Sequence, residues 1–403
     1  MALVPHLPEA RMRRSLSSAL WLTAALAACA PGEPAVSGVT ITDSAGVRIT
    51  VSAPVPGTWA RVDTVPVLSL GGADVTGPTL FSNTRGVLLD RRGRLWVADG
   101  QSGELRIFGP DGSFVKSVGR RGEGPGEFVG IRLLGAFRGD SVAVWDDAQG
   151  RLTILDPEGG LARMVTATTD EGPAPNAFRV FPDGTVLARV RTVLQAGTLE
   201  PGTIIPDTAV FARVDYTSMR TEGHGGAPAP RWLWTGRRSL PLPFALNPGF
   251  DLFGDDVHTT SGPAFRIRVF RAGELVESYG VDRDPVPVTE ADRREYAETV
   301  LGVSDNATRS AEAASVLAHP EVPTLLPAYR TLVIADTGET WAERYEYGVF
   351  DVYGRDRALL GRVDVPLALT QVVGSLLIGI WRDDLGVEHV RTYRFRRVGP
   401  SAG

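Results

Sequence analysis

Histidine, cysteine and converging carboxylates carry most acid, base, thiol and metal chemistry, and this chain uses the first two sparingly. It has 5 histidines and 1 cysteine in 403 residues. His224, His258, His319 and His389 follow the cysteine, none in a short-spaced pair, so a three-histidine zinc site is not expected. Carboxylates are harder to dismiss. Asp99, the pair Asp146 and Asp147, and the pair Asp255 and Asp256 lie in three separate parts of the chain, and hard oxygen ligands of this kind can hold calcium or magnesium. The same acids also suit the ends of strands, where they cap turns through backbone amides. Asp146, Asp255 and His258 are the candidates for a metal. Nucleophilic hydrolysis has less support, because Ser261-Gly262 lacks the Gly-x-Ser-x-Gly elbow.

Two polar clusters are candidates for a ligand-binding face. The run Gly119-Arg-Arg-Gly-Glu-Gly-Pro-Gly126 has neither the Rossmann spacing nor a terminal Gly-Lys-Ser/Thr, and Pro125 interrupts it. It reads as a turn whose glycines supply positive φ and after which Phe128 anchors the next unit. Arg120, Arg121, Glu123 and Glu127 then sit on an exposed loop. Trp381, Arg382, Asp383 and Asp384 form the second cluster. For both, the alternative is solvated charge and ordinary turn structure.

The elements that position these residues follow from composition and pattern. With 43% hydrophobic residues, 46 glycines, 29 prolines and a net charge of −5, the chain has the make-up of a loop-rich soluble protein, neither disordered nor a membrane bundle. Lys and Arg are not concentrated in any one stretch, which excludes the electrostatic footprint of a nucleic-acid binder.

At the amino terminus, Met12-Arg13-Arg14 precedes an apolar stretch from Leu16 to Ala28, followed by Cys29 and Ala-Pro-Gly-Glu-Pro. A charged start, a short apolar core and small residues before the cleavage point describe a signal peptide, and the core is too short to span a bilayer. Leu26-Ala27-Ala28-Cys29 resembles the lipobox of bacterial lipoproteins. Residues 1–28 are then the signal peptide, with translation starting at Met12. The resemblance implies that Cys29 is acylated and anchors the chain to the membrane of the cell envelope, several acyl chains holding where one binds only marginally. Ala30 in place of Asp implies the outer membrane in a diderm host. An acylated Cys29 leaves no thiol for catalysis.

Residues 29–38 form a tether, and from residue 39 a unit recurs. Gly86 to Asp90, Leu95 to Asp99, Glu104 to Phe108 and Phe114 to Val118 are short strands joined by Arg91-Arg92-Gly93 and Gly109-Pro110-Asp111-Gly112. Leu133 to Phe137, Ser141 to Trp145, Arg151 to Leu155 and Leu161 to Val165 repeat the order, with Trp145 standing 49 residues after Trp96. Partial copies begin at Phe178, Phe265, Thr331 and Gln371. A hairpin at Val39 to Val51 is left to pair with the last copy. Four antiparallel strands repeated at this period predict an all-β fold, a six-bladed β-propeller over residues 39–397, with 398–403 as a tail. A β-sandwich with a second domain would not repeat the same turn order. Thr289 caps an acidic, helix-patterned run and Ala311 to Ala318 is a second one, so residues 287–324 are a helical insertion between blades 4 and 5.

The first unit, through Trp96-Val97-Ala98-Asp99, Phe108-Gly-Pro-Asp-Gly112 and Gly119 to Phe128, resembles NHL-type repeats. With Leu326-Pro-Ala-Tyr-Arg330 and Trp381 to Glu388, the chain resembles the six-bladed β-propeller lipoproteins of bacteria. Blades three and four depart most, at 193–206 and 223–230. The family implies the fold and hardly a function. NHL-type lyases and propeller lactonases hold a cation in the central channel, which keeps open a metal-dependent enzyme with Ca or Mg. The favoured expectation is a monomeric, non-enzymatic module whose loops bind a protein, peptide or glycan ligand, without nucleic acid.

Overall fold

The computed structural model describes residues 38–72, 75–166, 168–169, 172–173, 176–190, 199–206, 210–216, 218, 220–223, 231–245, 249–260, 262–299, 301 and 307–398. The expected signal peptide (1–28), Cys29, nearly all of the expected tether, and His224 lie outside the described residues. The rest of the chain is mostly β, with two α-helices.

Six sheets follow one another along the chain, each built on four antiparallel strands. Sheet 1 comprises Thr84–Leu89, Leu95–Asp99, Glu104–Phe108 and Phe114–Val118. Sheet 2 comprises Ile131–Ala136, Val142–Asp146, Arg151–Leu155 and Leu161–Thr166. Both match the repeat read from sequence to within two residues at each end. Sheet 3 (Asn176–Val180, Val186–Val190, Val210–Asp215, Arg220–Gly223) and sheet 4 (Phe250–Phe253, Asp256–Thr260, Arg266–Arg271, Glu274–Val281) contain strands that the repeat did not reveal. Sheet 5 comprises Tyr329–Ile334, Thr340–Arg344, Val349–Tyr353 and Leu359–Asp364. In sheet 6 the run from Gln371 to Trp381 is two strands, Ala368–Val373 and Leu376–Arg382, followed by Glu388–Arg397.

Turn chemistry explains the repetition. Asp90, Asp111, Asp156, Asp183 and Asp356 each accept the backbone N–H two residues on, at 2.8–3.1 Å. Gly112 follows one of these aspartates at φ +82, and a Cβ there would come within 2.6 Å of Leu68 Cδ1.

Side chains alternate between two neighbours. Leu95 and Val97 pack with Ile378, Ile380 and Val390 of sheet 6, while Trp96 and Ala98 pack with Ile131, Leu133 and Val144 of sheet 2. The pattern continues through cores between sheets 2 and 3, 3 and 4, 4 and 5, and 5 and 6. The first strands of consecutive sheets touch, and the first strand of sheet 6 touches that of sheet 1, which closes the cycle.

The amino-terminal strands do not go where the sequence suggested. The hairpin Val39–Ser44 and Val47–Ser52 was expected to complete the last sheet, yet Val47–Ser52 pairs in parallel with Glu274–Val281 of sheet 4. The chain then passes sheet 5, where the Trp59 N–H donates to Arg362 O at 2.8 Å. Ala60–Val62 and Leu68–Gly71 both pair with Glu388–Arg397, so the latter supplies the fourth strand of sheet 6. The hairpin covers the carboxyl-terminal part of the open edge of sheet 4, pairing with Glu277–Val281.

Helices α1 (Glu290–Thr299) and α2 (Ala307–Leu317) lie in the chain between Glu274–Val281 and Tyr329–Ile334. The Thr289 Oγ1 accepts the Asp292 N–H while Asp292 accepts the Thr289 N–H, a reciprocal cap of α1. A small sheet of Ile204–Pro206, Arg231–Trp234 and Ser239–Pro241 packs against both helices through Leu233, Leu242, Phe244, Ala313 and Val316. Because strands alternate in direction, the connections carrying these pieces all leave the six sheets at the same end.

Candidate functional site

The acids proposed for a metal are engaged by the protein. Asp146, fully buried, accepts the N–H groups of Val129, Gly130, Ala148 and Gln149 at 2.7–3.1 Å. Asp99 accepts those of Gln101 and Ser102 and pairs with Arg106 at 3.2 Å. Asp256 holds Arg271 through both oxygens at 2.7 and 2.8 Å, and Asp255 pairs with Arg213 at 3.0 Å. These are turn and strand-end roles, and among the described residues no three His, Cys, Asp or Glu side chains gather as a metal group.

His258 is fully buried between sheets 4 and 5. Its Nδ1 shares a hydrogen bond with the Tyr279 hydroxyl at 2.8 Å, which in turn meets Thr340 Oγ1 at 2.8 Å. Burial, and then Arg357, lower its pKa to about 3, so the ring stays neutral. His319 bridges Gly202 O and the Glu321 N–H, and His389 stacks edge-on against Trp381 with centroids 4.9 Å apart.

The two polar clusters are also largely knit into turns. Arg120 donates to Glu127 Oε1 at 2.6 Å, and Glu127 takes the Gly124 N–H at 2.9 Å; these two donors hold its carboxyl below the usual range. From sheet 2, Gln149 reaches Gly122 O and Arg151 reaches the carbonyls of Glu123 and Glu127, clamping the loop, while Phe128 is fully buried. The Arg121 and Glu123 side chains are left at the solvent-facing surface. At the other cluster, Arg382 pairs with buried Glu388 at 2.6 Å, and Asp383 accepts the Leu385 and Val387 N–H groups. Arg391 lies over the Trp381 ring at 3.5 Å. The clusters belong to different sheets, and no contact joins them among the described residues.

Two cavities mark surfaces that the sequence did not single out. A cleft of about 430 Å³ lies where α1 and the small sheet meet sheet 5. Phe244 and Tyr296 form one wall, their centroids 5.3 Å apart; Tyr345, Arg330, Arg231 and Asp292 also line it. Phe244 holds a positive φ of 54, uncommon for a bulky residue and kept where its buried ring faces the cleft. Burial pushes the Tyr296 hydroxyl up to about 12, and that hydroxyl donates to Pro241 O at 3.3 Å. Arg330 is exposed, lies over the Tyr347 ring at 5.8 Å, and has no carboxylate within ion-pair distance among the described residues.

The second cavity, about 450 Å³, is lined by the first strands of all six sheets. Its walls are chiefly aliphatic, with Arg85, Arg132, Arg179, Asp251, Thr331, Thr370 and Gln371 as the polar exceptions. Three arginines thus stand where the sequence suggested a carboxylate-bound cation. Their spacing of 47 residues, 85 to 132 to 179, was the one available signal.

No curated protein matches the chain by sequence. Among solved structures, an exported protein from Bacteroides fragilis is 11% identical with a TM-score of 0.49, covering 86% of this chain and 98% of its own. A member of the DUF4221 family from Bacteroides vulgatus is 10% identical with a TM-score of 0.49, covering 85% and 100%. Virginiamycin B lyase from Staphylococcus aureus, in a catalytically inactive form with quinupristin, is 8% identical with a TM-score of 0.42, covering 82% and 99%. Residues 80–152, which hold sheet 1, the clamped glycine loop and the start of sheet 2, match the model of a family described as a 6-bladed beta-propeller, and it is this family that the chain resembles.

Proposed function

We propose that the chain is a six-bladed β-propeller lipoprotein, held to the cell envelope, at the outer membrane, through an acylated Cys29, and that it works as a binding module for a protein, peptide or glycan ligand. The closed cycle of contacts among the six first strands supports the ring, in which the two helices are an insertion between blades 4 and 5. The anchor rests on the sequence at residues 12–30.

The observation that carries the binding role is the cleft beside α1. Separate insertions leave the ring at one end, share a single apolar core, and border a concavity that combines aromatic rings with Arg330, which has no ion-pair partner among the described residues. A rigid scaffold that presents a preformed aromatic and polar surface binds without first ordering loops. Asp99, Asp146 and Asp256, by contrast, are already held by backbone amides or arginines, which leaves them little to offer a channel cation.

The test uses the full chain in detergent against immobilised panels of peptides and oligosaccharides, alongside Tyr345→Ala and Arg330→Ala. Saturable binding to a panel member, weakened about tenfold or more in either variant, supports the cleft. Binding that both variants leave intact, or no binding at all, overturns it. Loss of membrane association in Cys29→Ala tests the anchor separately.

A further inference from the structure

The lumen shared by the six first strands carries an unbalanced charge. Arg85 and Arg132 occupy the second position of the first strands of sheets 1 and 2, and both turn to a single acceptor, Asp147 Oδ2, at 3.2 and 2.6 Å. Arg132 uses two donors on that oxygen, Nε at 3.2 Å and one terminal nitrogen; Arg85 uses one. A guanidinium offers five N–H groups in a planar fork matched to two oxygens, so most donors of this pair have no acceptor among the described residues. The second oxygen of Asp147 does not relieve them, since Oδ1 is buried and makes no hydrogen bond.

Elsewhere in the same cavity the balance differs. Arg179 donates to Asp251 Oδ1 at 2.8 Å and to Phe178 O at 3.0 Å, while Asp251 Oδ2 accepts the Ile334 N–H at 2.8 Å. That pair is one cation to one anion, with both carboxylate oxygens hydrogen-bonded. With Arg85, Arg132 and Arg179 set against Asp147 and Asp251, the lumen and its rim keep one positive charge in excess. Leu88, Leu133, Leu134 and Leu332 line the walls, and low-dielectric walls focus such a charge into the cavity.

We infer that the mouth of this lumen is an oxyanion site, in which Arg85 and Arg132 grip one carboxylate or phosphate group of a small ligand. Asp147 holds the two guanidinia side by side in the unliganded protein. The planar fork of Arg132 is fixed from one edge by Asp147 and by the ring of Phe178, 5.1 Å away, leaving its other edge for the ligand. This site is separate from the cleft beside α1, and its test reads the lumen alone.

The experiment is titration of the full chain with sodium malonate and with inorganic phosphate by calorimetry, against sodium chloride at matched ionic strength, with Arg85→Gln and Arg132→Gln in parallel. Saturable heat with malonate, phosphate or both, absent with chloride and reduced about tenfold or more in affinity by each substitution, supports the site. Malonate alone identifies a carboxylate ligand, and phosphate alone a phosphorylated one. If neither oxyanion saturates, or if binding survives both substitutions, the site does not exist. Arg85 is more exposed than Arg132, 40% against 29% of the side chain, so Arg85→Gln keeps the test decisive if Arg132→Gln does not fold.

Discussion

Gln371 Oε1 accepts the Leu89 backbone N–H at 2.8 Å, joining the first strand of sheet 6 to the first strand of sheet 1 across 282 positions of sequence. Asp251 does the same two seams earlier in the cycle, reaching from sheet 4 to Ile334 of sheet 5. Side chains from inner strands therefore stitch neighbouring sheets where no ladder joins them.

Gln371→Ala leaves the Leu89 N–H without its acceptor in a partly buried place. The cost of such an orphan is about 1–3 kcal/mol. Gln371→Glu keeps an acceptor oxygen and is expected to recover most of that loss at neutral pH. Urea midpoints of the three proteins check this, and an alanine variant as stable as the parent would remove the side chain from ring closure.

Asp146 gives a sharper contrast, because four backbone N–H groups converge on its carboxylate. An asparagine of the same shape turns an NH2 group toward donors and retains one acceptor. Asp146→Asn is expected to lose about 2–4 kcal/mol of unfolding free energy, with metal content unchanged before and after. Stability like the parent's, accompanied by loss of a bound cation, is the result that would restore Asp146 as a ligand.

Sheets 1 and 2 were legible in the sequence because their turns carry Asp and Gly at fixed offsets and their second strands carry Trp96 and Trp145 at one place in the core. Sheets 3 and 4 were half legible. Val210–Asp215 and Phe250–Phe253 lack those flanking signals, and the insertions between them break the period. The backbone amides that Asp99 and Asp146 accept were expected for acids at strand ends; the pairing of Asp99 with Arg106 was not, because that partner comes from the next strand. The arginines of the lumen were missed for a related reason. Arg85 and Arg132 look like surface charges in isolation and acquire meaning only when separate first strands converge.

His258 predicts a pH dependence with a definite sign. Its folded-state pKa lies near 3 because burial, reinforced by Arg357, disfavours the charged ring, whereas the unfolded chain takes up the proton near the ordinary value of 6.5. Between these limits the unfolded state binds more protons, so stability is fully present above about 6.5 and falls as the pH drops toward 3. The slope for one such group approaches about 1.4 kcal/mol per pH unit. Moving from pH 7.5 to 5.0 is therefore expected to cost the parent about 2 kcal/mol more than His258→Gln. Equal losses in denaturant titrations at the two pH values would place the titrating group elsewhere.

The amino-terminal hairpin predicts a change in association. Val47–Ser52 covers the outer edge of sheet 4, and Ser52 ties it to sheet 5, its hydroxyl accepting the Leu359 N–H at 2.9 Å while its carbonyl accepts the Asp282 N–H at 2.8 Å. Removing residues 39–52 uncovers Glu277–Val281, the part of the Glu274–Val281 strand that the hairpin pairs, and its outward N–H and C=O groups then lack partners. A long exposed edge is a template for pairing with another chain. The six sheets keep their own cores in this variant, so its far-ultraviolet circular dichroism is expected to stay β-rich while light scattering after size exclusion shows self-association that grows with concentration. Adding Thr50→Pro and Ser52→Pro to the full chain removes two N–H groups near the carboxyl end of the covering strand without deleting it, and is expected to give a weaker form of the same behaviour. If both variants behave in solution as the parent does, edge protection is not what the hairpin contributes.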